Sequence, residues 1–120
     1  MELITLEGTA TASATGTHCK GEKYECGVTP RSANEINCVK CATAKVSVPS
    51  GARVQKVNVL VKEGNQSWNK AVLGENAKSA IGWCEIEASG SNGNNFYARL
   101  KNWKHDRTRN VKISVTYEAP

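Results

Sequence analysis

The chain has 120 residues, 39% hydrophobic and 22% charged, enough for one domain with a real core that needs neither metal nor disulfide to exist. Its formal net charge of +5 is uneven: residues 89–120 hold six Lys and Arg against two acids, a local balance of +4, and the rest is almost neutral. A basic end of this kind implies an anionic partner or a solubilising edge, and Glu2 with no long apolar run after it sets the expectation of no signal peptide or membrane span in these residues. The expectation is a cytoplasmic protein, or a mature secreted domain whose leader has been removed.

Residues 3–15 alternate, with Ile4, Leu6, Ala10, Ala12 and Ala14 on one side and Thr5, Glu7, Thr9, Thr11, Ser13 and Thr15 on the other. This predicts a strand, bent or bulged at Gly8. Thr is favoured on strands, and a single strand cannot build the flat lattice of an ice-binding array, so the threonines read as a solvated sheet face.

From residue 16 to 41 regular pattern disappears. This irregular excursion contains His18, Cys19, Cys26, Cys38 and Cys41, the cysteines in C-x6-C-x11-C-x2-C spacing. Three readings stand. Four thiolates could wrap a zinc ion, since the closing C-x2-C is the usual knuckle, although the first gap is wider than such sites normally use. Two disulfides could pin the excursion to a sheet, for example Cys19 to Cys26, or one of that pair to Cys38 or Cys41. Reduced thiols are the third, favoured by a cytosolic location.

Ala42, Ala44, Val46 and Val48 then alternate with polar residues up to the stop at Pro49-Ser50-Gly51. Between Arg53 and Glu63, Val57, Val59 and Val61 share a side while Val54 is out of phase, which predicts a bulge near Gln55-Lys56. Residues 64–67 read as a turn, 68–73 as a short edge segment, and 75–80 as the one stretch where a helical turn fits.

The last third is predicted as strands 81–88, 96–103 and 111–117, joined by a loop over 89–95 and a turn over 104–110. Folded about Asn92, the first two pair Ala88 with Phe96, Ile86 with Ala98 and Cys84 with Leu100 inside, and Glu87 with Tyr97, Glu85 with Arg99 and Trp83 with Lys101 outside. The third sets Tyr117 opposite Phe96, Val115 opposite Ala98 and Ile113 opposite Leu100, giving a three-stranded meander. Cys84 reads as a small buried hydrophobe. The fold class is therefore all-β: residues 1–120 as a single antiparallel β-sandwich or partly closed barrel of about six to eight short strands.

No catalytic signature stands out. His18 and His105 lie in separate loops, and the carboxylate pair Glu85 and Glu87 is neutralised by Arg99 and Tyr97 across the ladder. Phosphate-loop, dinucleotide and EF-hand motifs are absent. A non-enzymatic binding domain follows, with no cofactor unless the four cysteines hold zinc. The candidate ligand-binding residues are Trp83, Tyr97, Arg99, Lys101 and Trp103 on the outward face, with Arg107 and Arg109 beside them. Clustered aromatics and cations suit a glycan, an anionic one above all, or a protein partner, unless a second sheet or loop covers that face. A nucleic-acid or other polyanion binder using Arg99, Lys101, Lys104, Arg107, Arg109 and Lys112 is the alternative, and an assembly protein pairing through an edge strand is a third.

Overall fold

Alternation at period two runs through most of the chain, and the computed structural model turns it into strands wherever it is unbroken; residues 2–15, 25–26, 38–71, 82–104 and 106–120 are described. The strands are β1 (Leu3–Ala14), β2 (Lys40–Ser47), β3 (Arg53–Glu63), β4 (Asn69–Ala71), β5 (Cys84–Asn92), β6 (Asn95–Asn102) and β7 (Arg107–Glu118), with no helix among the described residues. They form two antiparallel sheets, A in the order β1-β7-β3-β4 and B in the order β2-β6-β5, packed as a sandwich. The expected helical turn at 75–80 lies outside the described residues.

Sheet A sends Val111, Ile113, Val115, Val59 and Val61 inward; sheet B answers with Ala44, Val46, Ile86, Ala98 and Leu100. The expected inward set of the last two strands holds, with Phe96 half-buried and packed against the core. The expected meander does not. β6 pairs with β2 and β5, whereas β7 lies in the other sheet between β1 and β3. Alternation reports which face a side chain takes and is silent on which strand lies alongside, so one pattern fits both arrangements. The chain changes sheets over Trp103–Asp106, with Asp106 at φ 59° and the Arg107 N–H donating to the Lys104 carbonyl at 3.2 Å. Buried Asn102 braces the crossing: its Nδ2 donates to the carbonyls of Ala12 and Arg107, each at 3.0 Å, and its Oδ1 accepts from the Lys104 N–H at 3.1 Å.

Two other local expectations change. β5 continues to Asn92, and its hairpin with β6 closes through Gly93-Asn94, with Gly93 at φ 62° as a type II′ turn requires at its first central position. A register shift between Ile86 and Ala88 then sets Glu85 opposite Lys101, Ile86 opposite Leu100 and Cys84 opposite Asn102. Gly8 is no bulge, since β1 keeps continuous register with β7 from Leu3↔Glu118 to Ala14↔Arg107. A Cβ at Gly8 would collide with the Lys45 carbonyl, so glycine is needed where the edge strands of the two sheets touch. The expected β3 bulge is present between Val54 and Lys56.

Candidate functional site

The outer face of sheet B carries the side chains that alternate with its core set. β2 supplies Thr43, Lys45 and Ser47, and β6 supplies Tyr97, Arg99 and Lys101; Thr43 is paired with Arg99, Lys45 with Tyr97 and Cys41 with Lys101. Near the β5–β6 hairpin Thr43, Lys45, Ser47, Tyr97 and Arg99 line a groove of about 510 Å³ together with Asn92, Asn95 and Phe96. The Ser47 hydroxyl donates to Asn95 Oδ1 at 2.6 Å. The Tyr97 ring lies across Gly90, where even a Cβ would only touch it, so the phenol is seated on the backbone of β5. Arg99 has a side chain 42% exposed, and its Nε is 3.6 Å from Glu87 Oε2. The groove thus brings two cations, a phenol, two hydroxyls and two amides together.

Farther along β6 the face is closed. Lys101 is buried, its ammonium 3.0 Å from Glu85 Oε1 and 5.3 Å from the ring centroid of Trp103, which is itself buried. Both were expected to meet ligand, and neither is open to one. Trp83 is half exposed, with φ 60° and Lys104 Nζ 4.8 Å from its ring; the Trp103 N–H donates to its carbonyl at 3.0 Å. It precedes the Cys84↔Asn102 pair, so it stands about 20 Å along the ladder from Tyr97, outside the groove. Arg107 is exposed and 3.3 Å from Glu63 Oε1. Arg109 is corrected most strongly. It is 2% exposed inside the sandwich, held by the same Glu63 oxygen at 3.3 Å and donating to the Gly82 carbonyl at 3.3 Å. Of the expected surface set, Tyr97 and Arg99 come together; Thr43, Lys45 and Ser47 of β2 are additions that alternation marks as polar but cannot place beside β6, and Asn92 and Asn95, expected in a loop, are the others.

The cysteines take the bridged form. Cys26 and Cys41 are joined by a disulfide, Cys38 is disulfide-bonded as well, and Cys19 lies outside the described residues, as do both histidines. The Cys26 N–H donates to both oxygens of Glu87 at 3.3 Å, which ties this bridge to the carboxylate that Arg99 approaches. The sulfurs and a Glu87 oxygen lie within 4.8 Å of one another, but a bridged pair offers no thiolate, so the four-cysteine zinc site does not form in this state. Cys84 is free and fully buried. Desolvation pushes its thiol up to about 11, partly opposed by Arg109, so it is an inert protonated group at neutral pH.

On the side where β3 faces β5, a second cavity of about 140 Å³ is lined by Val57, Val59, Phe96, Ile113, the small residues 89–91 of β5 and Tyr97, which thus borders both cavities. It holds no charged side chain and reads as a packing gap. No protein-family model, curated protein or solved structure matches this chain, and no helix among the described residues is long and apolar enough to cross a membrane.

Proposed function

We propose that this protein is a non-catalytic recognition domain that binds an acidic glycan in the groove on the outer face of sheet B. The observation that carries the reading is the composition of one concavity: Lys45 and Arg99 as cations, Tyr97 as a ring, and Thr43, Ser47, Asn92 and Asn95 as hydroxyl and amide groups, in a volume of about 510 Å³. That volume falls in the range of small-ligand sites. A sugar needs partners that both donate and accept, which hydroxyls and amides supply, and an apolar ring for its C–H face. The acid group is a carboxylate or sulfate, because a guanidinium fork engages two oxygens at once. Arg99 is suited to this, since its 3.6 Å contact with Glu87 is too long for a hydrogen bond and its side chain is 42% exposed.

The bridged cysteines support an oxidising compartment over the cytoplasm, because such bonds persist where thiols are not kept reduced. A glycan-binding role belongs in that setting. The test is a glycan array probed with the parent and with Lys45→Gln/Arg99→Gln. The variant should lose acidic ligands by about tenfold or more, the worth of one charge-assisted contact. Its melting temperature should stay near that of the parent, since Lys45 is exposed and Arg99 is partly so. Undiminished binding by the double variant would sink the reading.

A further inference from the structure

The opposite surface of the sandwich is the outer face of sheet A. The alternation that turns Val59, Val61, Val111 and Ile113 inward turns Lys56, Leu60, Lys62 and Lys112 outward. In register, Leu60 stands between Lys112 of β7 and Lys70 of β4. Trp68, which enters β4, has Lys62 Nζ 4.8 Å and Lys112 Nζ 4.5 Å from its ring centroid. Glu7 balances part of this charge, with its carboxylate 3.2 Å from the Lys112 ammonium.

Lysines on an edge strand are ordinary guards against unwanted pairing, and Lys70 fits that role. Lys62 and Lys112 do not, because β3 and β7 are interior strands. Their two ammoniums share one indole and by these distances stand less than 10 Å apart, comparable to the screening length of about 8 Å at physiological salt. They repel one another, and an anion placed between them removes the repulsion.

We propose that this face binds single-stranded nucleic acid, with phosphates on Lys56, Lys62, Lys70 and Lys112 and a base on Trp68. Four lysines act as point charges, the form in which ammoniums hold phosphate. Lys112 and Lys70 lie two strand spacings apart, about 10 Å, and Lys56 and Lys62 are six residues apart along β3, about 20 Å. That area suits a short run of extended strand laid on a sheet. Base stacking on an indole is stronger than an exposed cation–π contact, so bound strand draws the ammoniums off the ring onto phosphates and takes the ring face they leave.

The test is fluorescence anisotropy with labelled dT12 between about 50 and 300 mM KCl. Four phosphates engaged on a single strand predict a slope of log K against log salt near −3, from about 0.7 per phosphate. Lys56→Glu/Lys70→Glu changes two exposed side chains and should weaken binding about tenfold or more with an unchanged melting curve. Trp68→Leu should weaken dT12 about fivefold or more yet leave heparin binding unaltered, because only a base stacks on the ring. Lys45→Gln/Arg99→Gln, on the other face, should bind dT12 like the parent. Absence of binding at the lowest salt, or parental affinity in the double glutamate variant, overturns the proposal. So does equal loss of heparin and dT12 in Trp68→Leu, which marks a surface for polyanions in general.

Discussion

Arg109 and Cys84 sit side by side at one end of the core, and each answers to a different rule. Arg109 falls in phase with Val111, Ile113 and Val115, so alternation places it inside, whereas its charge argues for the surface. Position won. The cost of burying a guanidinium is met by Glu63 and by the carbonyl of Gly82, partners far away in sequence that no local pattern announces. Cys84 was legible as buried, and its burial sets a pH dependence. Its thiol titrates near 9.0 in the unfolded chain and about 11 in the folded one. Between those values the unfolded chain releases a proton that the folded protein keeps, so stability is full below about pH 9 and falls as pH rises through the window. The accumulated loss approaches about 2–3 kcal/mol by the upper end. Urea unfolding of the parent and of Cys84→Ala at intervals from pH 8 to 10.5 should show the steeper decline in the parent; parallel curves would refute the shift.

At the scale of elements, what could be read depended on whether an irregularity changed the phase of hydrophobic residues. The bulge after Val54 was legible because it throws one valine out of step with three others. The bulge at Glu87 was not, because Glu85 and Glu87 are polar at outward positions under either register. Extension of β5 through Ser89–Asn92 was hidden by small polar residues that look like a loop, and the turn chemistry of Gly93-Asn94 was the clue. Gly8 carried the opposite lesson. Its presence in a strand pointed to something unusual, and the cause is the backbone of β2 in the facing sheet. Ala10 and Ala12 of β1 and Ala42 and Ala44 of β2 keep the two edges narrow enough for that approach. Gly8→Ala forces the carbonyl of Lys45 away, and overpacking of this kind costs about 1–3 kcal/mol. A drop in the urea midpoint with unchanged m-value is the expected outcome; a midpoint at or above that of the parent would mean the edges part freely.

For the molecule as a whole, an all-β fold of about this many strands with two faces was foreseeable from period and turns, while the assignment of strands to sheets was not, and of the seven expected site residues only Tyr97 and Arg99 line the groove. β6 was rightly read as the strand bearing Tyr97 and Arg99. The neighbour that completes the groove is β2, with β3, β4 and β5 between the two in sequence. The Cys26–Cys41 bridge is likewise a long-range fact, and it closes a 15-residue separation between β2 and the segment before it. In the loop-closure account such a bridge stabilises by about 3 kcal/mol, so Cys26→Ser/Cys41→Ser should lower the unfolding free energy by that order. Denaturant unfolding of the oxidised parent against the double variant checks it, and a difference below about 1 kcal/mol would assign the hold on this region to packing instead.

The place of β7 in sheet A bears on how the protein is made. It is the last strand in sequence, yet it stands between β1 and β3 and joins Leu3 to Glu118. During vectorial synthesis sheet B has all three of its strands once Asn102 has left the ribosome, because β2, β5 and β6 all precede that point. Among the described residues β1 has no partner in its own sheet until residues 107–118 emerge, and β3 has the three residues of β4. The nascent chain therefore carries an open, β-branched surface through most of translation, the condition under which strands find the wrong partners. Closing a ladder across nearly the full sequence is a slow step for a chain of this size. Sheet A cannot close before β7 is made, and its first strand waits for β7.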